Sequence, residues 1–215
     1  MRDRELGSLG EHVLRAQAAT GRERHDALAR QLRDDLPALL DRHPALARQL
    51  GTACVDWAGA TRELQERLAA DRGLIAARFA GGVDPGVVAE AEWGRSDPHN
   101  GGRTVVLLRF GSGLGLVYKP KGRASEAGLA RAVEWLSARG MEARLASLSV
   151  LDRGSHGWVE RVAHAPCPDE AAVERYYERA GALLALMRAL DGSDCHNENL
   201  IAAAEHPHIV DGETV

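Results

Sequence analysis

The hydrophobic pattern of this chain changes once, near residue 93, and that change limits the folds open to it. Upstream, five large apolar side chains recur at gaps of seven and four, the spacing of one helix face: Trp57, Leu64, Leu68, Ile75 and Phe79. Downstream, loops rich in glycine and asparagine separate short apolar runs, which is typical of strands. We therefore predict an α+β protein with a helical N-terminal region over residues 1–92 and a second region over residues 93–215.

The second region is predicted to alternate short strands with two helices. Asp84 and Pro85 predict one more short helix before it, ending near Trp93. Ser125 is predicted to cap a helix that reaches residue 139, and Asp169 to open a longer helix. The apolar stripe of that longer helix comprises Val173, Tyr176, Tyr177, Ala180, Leu183, Leu184, Met187 and Leu190. The predicted strands cover residues 104–110 and 114–119, joined as a hairpin through GSG, and then 145–151, 158–162, 200–203 and 208–210.

The composition excludes several classes of protein. The 215 residues are 45% hydrophobic and 27% charged, as in soluble globular domains. The net charge of -4 argues against nucleic acid or an anionic membrane as the main partner. No run approaches the roughly 18 consecutive apolar residues of a membrane span, and the first residues lack a secretory signal. We expect a cytoplasmic chain whose three scattered cysteines are reduced.

Three oxygen-bearing side chains follow the long C-terminal helix at a spacing typical of catalytic and metal-binding residues. Asp194 precedes Asn199 by five residues, and Asp211 follows twelve residues later, at the end of a predicted hairpin. Kinases place a catalytic aspartate five residues before an asparagine and a metal-binding aspartate one hairpin later. One carboxylate then faces the attacking hydroxyl, while the amide and the second carboxylate hold Mg²⁺, which prefers oxygen ligands.

Lysine is rare in this chain, and one lysine stands where a kinase needs it. The 27 basic residues include only two lysines, Lys119 and Lys121. Lys119 ends an apolar strand, like the strand lysine that holds the α and β phosphates of ATP in kinases. Such a lysine is paired with an acid, and both Glu126 and Glu134 on the following helix are candidates.

The loop from residue 94 to residue 103 holds a second group of polar side chains. Asp97, His99 and Asn100 stand together beside two glycines that allow a close approach of the backbone. The GSG of the following hairpin is interpreted as a turn. The histidines elsewhere fit no H-E-x-x-H helix, so a zinc hydrolase is disfavoured.

Several segments in this order resemble the dehydratase domain of class II lanthipeptide synthetases, the LanM family. The resemblance runs from about residue 40 to the end of the sequence. Its motifs are SDPHNGGRTV, LVYKP, HGWVE, the YY of RYYERAGALLALMRAL, GSDCHNENLIA and HPHIVDGET. His196 follows Asp194, whereas protein kinases place His before the aspartate, and this order agrees with the LanM pattern.

The resemblance implies a lobe similar to lipid kinases that binds ATP and Mg²⁺. The implied activity is phosphorylation of Ser and Thr in a ribosomally made precursor peptide, followed by elimination of phosphate to dehydroalanine or dehydrobutyrine. The implied site residues are Asp194 and His196 for phosphoryl transfer, Lys119 and Glu213 for ATP, Asn199 and Asp211 for metal, and Asp97 and His99 for elimination.

The sequence stops at Val215, four residues after Asp211. Against the LanM pattern this implies an incomplete C-terminal lobe. We therefore expect a truncated enzyme that is inactive alone or needs a second polypeptide, with low solubility because strand edges and apolar surface lose their cover.

Two other functions stay open at this point. One is a non-catalytic module, in which the helical region binds a peptide or a partner chain and the kinase-like residues are relics. The other is a small-molecule phosphotransferase of the aminoglycoside kinase type, which shares the Asp, Asn and Asp pattern but predicts neither the SDPHN loop nor His196.

Overall fold

A computed structural model describes residues 20–193 and 195–211. The chain divides into two compact units, residues 1–56 and 57–215, and each is described by itself. In the first unit, helices α1 (Gly21–Asp34) and α2 (Leu36–Arg42) precede the start of helix α3 (Pro44–Phe79). Asp35 caps α2, because its carboxylate accepts a hydrogen bond from the Ala38 backbone N–H at 3.3 Å. The predicted helical character is confirmed for the described residues of this unit.

The second unit is built on a five-stranded antiparallel sheet in the order β1-β2-β3-β5-β4. Its strands are β1 (Val88–Glu92), β2 (Val106–Phe110), β3 (Gly115–Lys119), β4 (Val150–Asp152) and β5 (Gly157–Glu160). The predicted hairpin of β2 and β3 is confirmed, and the two later strands form but are shorter than predicted. Mixed helix and antiparallel sheet confirm the α+β class.

One face of this sheet is covered by the C-terminal part of α3. The predicted stripe largely holds: Leu64 and Ile75 are buried, and Leu68 and Phe79 pack against the same cluster. The sheet contributes Val106, Leu108, Phe110, Leu116, Tyr118 and Trp158 to this core. Trp57 departs from the prediction, because its side chain is exposed and its ring lies 6.5 Å from that of Trp93.

Two helices and a hairpin form a second core. Helix α4 (Ala124–Ser137) follows β3, and helix α5 (Glu170–Ala189) precedes the hairpin of β6 (Leu200–Ala203) and β7 (His206–Ile209). The buried members of this core are Leu129, Val133, Leu145, Leu183, Met187 and Ile209.

The predicted stripe of α5 divides between two faces of the helix. Asp169 caps the helix as predicted, accepting a hydrogen bond from the Ala172 N–H at 2.7 Å. Leu183 and Met187 are buried, whereas Val173, Tyr177, Leu184 and Leu190 are exposed. The apolar stripe is wider than the helix face that this core contacts, so some of its residues stay exposed.

The short helix predicted from Asp84 and Pro85 is wrong, since β1 lies in that part of the chain. Gly86 adopts a left-handed conformation, and the Asp84 carboxylate accepts a hydrogen bond from its N–H at 2.8 Å, which turns the chain. Residues 88–92 then pair with β2, and cross-strand pairing outweighs the local capping signal. Ser125 also lies inside α4, which begins one residue earlier without a side-chain cap. The boundary between regions at residue 92 stays a prediction.

A buried carboxylate on α3 ties that helix to the β4–β5 turn. Asp71 is only 1% exposed. Its oxygens accept hydrogen bonds from His156 Nε2 at 2.7 Å, Trp158 Nε1 at 2.8 Å and Arg153 Nε at 2.8 Å. Burial alone would raise the pKa of this carboxyl, but the hydrogen bonds from Trp158 and His156, with the charge of Arg153, together hold it below its usual value.

Replacing Asp71 should lower stability more than replacing any exposed carboxylate. We expect Asp71→Ala to lower the free energy of unfolding by about 3–5 kcal/mol, because three buried or half-buried donors lose their acceptor. Asp71→Asn keeps an oxygen and should cost less, about 1–3 kcal/mol. Urea denaturation measures both. Asp84→Asn is the matched control, since Asp84 also pairs with an arginine but lies in solvent; an equal loss in both Asn variants would contradict the role of Asp71.

The same carboxylate gives a pH dependence of known sign. Because the pKa of Asp71 is lower in the folded protein, its stabilisation is complete above the unfolded-state pKa of about 4 and is lost as the pH falls through the folded value. The difference in unfolding free energy between wild type and Asp71→Asn should therefore shrink from pH 7 towards pH 3. A constant difference over that range would contradict the assignment.

Candidate functional site

The Lys119 ammonium lies at the end of β3, on the face of the sheet opposite Tyr118 and the α3 core. Its side chain is 7% exposed. Nζ donates to Glu126 Oε1 at 2.6 Å, to the Val210 carbonyl at 2.6 Å and to Asp211 Oδ1 at 3.0 Å. An ammonium has three N–H donors, so strand, helix α4 and the segment after β7 meet at one fully satisfied cation.

The acid that partners Lys119 is Glu126. It lies in the first turn of α4 and is 8% exposed, whereas Glu134 lies two turns further on and is exposed. The second oxygen of Glu126, Oε2, is buried and has no hydrogen bond to any residue of the described ranges 20–193 and 195–211. Burial therefore distinguishes the two glutamates that the sequence left open as partners of Lys119.

A second buried cation, Arg123, stands beside this pair. Its side chain is 2% exposed, and Nη1 lies 3.5 Å from Glu126 Oε1 and 3.8 Å from Asp211 Oδ1. Two glycines make room for this segment: a Cβ on Gly122 would lie 2.2 Å from the Gly154 carbonyl oxygen, and one on Gly157 would lie 2.4 Å from Arg123 Cγ. Only glycine fits at position 122, because the Gly154 carbonyl oxygen belongs to the backbone and cannot move aside as a side chain can.

The loop from residue 94 to residue 103 closes as a tight turn. His99 and Arg103 exchange two backbone hydrogen bonds, each 2.9 Å long. Between them Asn100, Gly101 and Gly102 all have positive φ angles of 41°, 82° and 75°. Arg103 then reaches α3, where Nε donates to Glu63 Oε2 at 2.6 Å.

This loop and the Lys119 site border one cavity of about 140 Å³. Among the described residues that line it, four are lysine or arginine and one carries a carboxylate. Both lysines of the chain are among them. The lining residues are Ser96, His99, Asn100, Arg103, Val105, Lys119, Pro120, Lys121, Arg123 and Asp211. Such an excess of positive charge in a concave site suits a polyphosphate ligand.

The structure brings some of the predicted site residues together and separates others. Lys119, Asp211 and His99 line the cavity, and Asp97 is exposed outside its lining. His196 and Asn199 lie together, with Nε2 and Nδ2 3.4 Å apart. Asp194 and Glu213 fall outside the described residues.

Asn199 connects to the Lys119 site through the backbone. Its carbonyl accepts a hydrogen bond from the Val210 N–H at 3.0 Å, next to Asp211. Its side chain lines a separate, largely apolar pocket against α5.

Oxygen ligands for a hard cation are present, although they are few. Among residues 20–193 and 195–211 no group of three or more His, Cys, Asp or Glu side chains is close enough to hold a metal ion. The described donors are the Asp211 carboxylate and the Asn199 amide. Mg²⁺ is usually held by one or two protein carboxylates together with substrate phosphates and water. Asp211 lines the cavity and fits such a ligand, whereas Asn199 lines the neighbouring pocket. A soft thiolate set is not brought together, since the three cysteines are free and scattered.

The sequence interpretation missed the two arginines of the cavity. Arg123 follows K-P-K-G, and Arg103 closes the SDPHN segment, so both stand in motifs already singled out. Their signal was hidden because nearly all basic residues of the chain are arginine. The glycines of the GSG turn do not line the cavity, which agrees with their interpretation as a turn.

Comparison with known proteins places this chain in one family. A family described as a domain of unknown function, DUF4135, matches residues 43–215. A protein of Lactococcus lactis subsp. lactis, the lacticin 481/lactococcin biosynthesis protein LcnDR2, is 28% identical over 129 residues. The match covers 56% of this chain and 14% of that relative. In the described part of the chain, no helix is both long enough and apolar enough to cross a membrane.

The Lys119–Glu126 pair should make a measurable contribution to stability. Glu126→Ala leaves a buried ammonium with one carboxylate partner fewer, so we expect the free energy of unfolding to fall by about 3–5 kcal/mol. Glu126→Gln keeps an acceptor and should cost less. Glu134→Gln, on the same helix but exposed, is the control and should leave the urea midpoint nearly unchanged. Equal effects of the two Gln substitutions would contradict the assignment of Glu126 as the partner.

Proposed function

Because the chain belongs to the DUF4135 family, the domain found in LanM-type lanthipeptide synthetases, we propose that it acts in lanthipeptide dehydration. In this proposal it uses ATP and Mg²⁺ to phosphorylate Ser and Thr of a precursor peptide and then eliminates phosphate. The observation that carries the proposal is the contact of Lys119 with Glu126 and Asp211 at a cavity rich in positive charge. A lobe similar to lipid kinases is part of the same proposal.

The substrate follows from the relative and not from the geometry. The relative is named as a lacticin 481 and lactococcin biosynthesis protein, and the chain spans 14% of that protein's length. A precursor peptide as substrate, and a separate polypeptide that completes the enzyme, are therefore proposals for this chain. We propose that residues 57–215 contribute the nucleotide site, and that the chain by itself does not complete dehydration.

Nucleotide binding at Lys119 needs one acceptor to give way, because all three N–H groups are engaged. Asp211 is the one most open to solvent, with 45% of its side chain exposed. Its release frees one N–H for a phosphate oxygen, while Glu126 and the Val210 carbonyl keep the ammonium in place. Asp211 and Asn199 would hold Mg²⁺, which supplies positive charge against the triphosphate. We propose Asp194 as the carboxylate that faces the attacking hydroxyl, with His196 beside it and Glu213 in the nucleotide site.

Elimination needs a base at the substrate's α carbon and groups that accept the leaving phosphate. The base removes the Cα proton, the C–H electron pair forms the Cα=Cβ bond, and the Cβ–O bond breaks with its electrons on phosphate. His99 lines the cavity and carries an imidazole suited to proton transfer. We propose His99 for this step, with Asp97 of the same loop as its supporting acid.

A second candidate function is a non-catalytic module that binds a peptide or a partner chain. The exposed apolar side chains of α5, Val173, Tyr177 and Leu184, favour it. Nucleotide binding distinguishes the two functions, since the module needs none.

Nucleotide binding should depend on Mg²⁺ and on the Lys119 site. We expect a non-hydrolysable ATP analogue with Mg²⁺ to stabilise the full chain, by about 2.7 kcal/mol at a hundredfold excess over Kd. Asp211→Asn and Lys119→Ala should abolish the shift in thermal midpoint, and Glu134→Gln should retain it. Calorimetric titration at a temperature where each variant is folded separates lost binding from lost stability. No binding by the wild-type chain would refute the nucleotide site and favour the binding module.

Peptide chemistry provides the second test. The chain is incubated with ATP, Mg²⁺ and a Ser/Thr-rich precursor peptide, and the peptide mass is followed by mass spectrometry. We expect no loss of water from the peptide with this chain alone. Dehydrated peptide would overturn the proposed inactivity, provided that Asp211→Asn, purified in parallel, gives none.

A further inference from the structure

We propose that Arg103 and His99 form a phosphate subsite separate from the nucleotide site at Lys119, and that it binds the phosphoryl group of a phosphorylated Ser or Thr side chain. The inference rests on the proposed function and deepens it by naming a substrate-binding residue. The enzyme of that proposal must hold a phosphoryl group twice, first on the nucleotide and then on the peptide. A second cation-lined position within the same cavity serves the second requirement.

The backbone places the two side chains next to each other. His99 and Arg103 exchange both of their backbone hydrogen bonds, as opposite residues of an antiparallel pair do. Side chains of such a pair project from the same face of the ribbon, and both line the cavity. The three consecutive positive φ angles between them make the turn tight, and glycine at two of the three positions adopts them without strain.

The guanidinium of Arg103 is fixed by two of its three nitrogens. Nε donates to Glu63 Oε2 at 2.6 Å, and Nη1 donates to the Asn100 carbonyl. The hydrogen bond and charge of Glu63 raise the pKa of Arg103, so the group is cationic at every relevant pH. Nη2 has no hydrogen bond to any residue in the described part of the chain. A planar cation fixed through Nε and Nη1, with the N–H groups of Nη2 open, is suited to bind phosphate.

Glu63 in turn links Arg103 to the strand that carries Lys119. Glu63 is ion-paired with Arg67, and Arg67 Nη1 donates to the Tyr118 hydroxyl at 2.6 Å. Tyr118 is buried and is the direct neighbour of Lys119 on β3. One network of side chains on α3 therefore connects Arg103 in the loop to the strand that carries Lys119.

The two subsites have different charge requirements. Lys119 is already compensated by Glu126 and Asp211, and a nucleotide there needs Mg²⁺. Arg103 has Glu63 as its carboxylate partner, and Glu63 is itself shared with Arg67. A phosphate monoester can therefore bind at Arg103 without a metal ion. In the elimination step the Cβ–O bond breaks with its electrons on phosphate, and Arg103 would neutralise the charge that develops there.

The test measures binding of a phosphoserine peptide to the full chain in the presence of EDTA, by calorimetry, with the unphosphorylated peptide as reference. We expect wild type to bind only the phosphorylated form, and Arg103→Gln to weaken that binding by about tenfold or more. Arg109→Gln is the matched control, because Arg109 also pairs with a glutamate but lies outside the cavity. Glu63→Gln should weaken binding less than Arg103→Gln, since the cation remains but its anchor is lost.

Separate outcomes address the two levels of the proposal. Asp211→Asn, at a half-exposed position, should abolish binding of the ATP analogue and leave phosphopeptide binding undiminished. Equal loss of both ligands in Asp211→Asn would show a single anion site and overturn the inference. The inference would also be overturned if Arg103→Gln bound the phosphopeptide as tightly as Arg109→Gln does. The same holds if wild type bound the phosphorylated and unphosphorylated peptides equally well. Should Arg103→Gln fail to fold, Arg103→Lys keeps the charge without the planar fork and carries the same expectation. Absent nucleotide binding with intact phosphopeptide binding would contradict the proposed function while sustaining the subsite.

Discussion

A buried ammonium at the end of a strand dictates how the second unit assembles around its site. Removing Lys119 from water is tolerated only if each of its N–H groups finds an acceptor and its charge finds a counter-charge. The first turn of α4 supplies Glu126, and the segment after β7 supplies Asp211 and the Val210 carbonyl. These elements are far apart in sequence, so the position of the C-terminal hairpin against the sheet is coupled to this one cation.

Helix α3 organises the opposite face in a similar way, with charges as well as apolar packing. Glu63, Arg67 and Asp71 are four residues apart and therefore share one side of the helix. Glu63 holds the loop that carries His99 through Arg103, while Asp71 holds the β4–β5 turn through three donors. The β4–β5 turn is also where the Gly154 carbonyl contacts Gly122, beside the cavity. The loop that borders the cavity and the β4–β5 turn beside Gly122 are thus both anchored to a helix that does not itself line the cavity.

Local sequence patterns predicted features that depend on neighbouring residues, such as turns and helix caps. They did not predict contacts between residues that are far apart in the sequence. The hairpin ending at Lys119 and the Asp169 cap follow from alternation and capping, and both are confirmed. The helix predicted from Asp84 was wrong because strand pairing outweighed a valid capping signal. Arg103 and Glu63 are forty residues apart, and among so many arginines no pattern marks this one. The choice of Glu126 over Glu134 depended on burial, which spacing alone does not reveal.

The charge balance around Lys119 gives a physical reason for the proposed second phosphate position at Arg103. Among the described residues, the buried cations Lys119 and Arg123 face buried Glu126 and half-buried Asp211, so these four side chains together are close to neutral. In the proposed function, a triphosphate would bring several negative charges into this balanced group, and a divalent ion would supply the added positive charge that they require. Arg103 stands outside the balanced group, fixed through α3. A phosphate monoester bound there would leave the nucleotide charges undisturbed, so phosphoryl transfer and expulsion could use neighbouring positions without reorganising the buried pair.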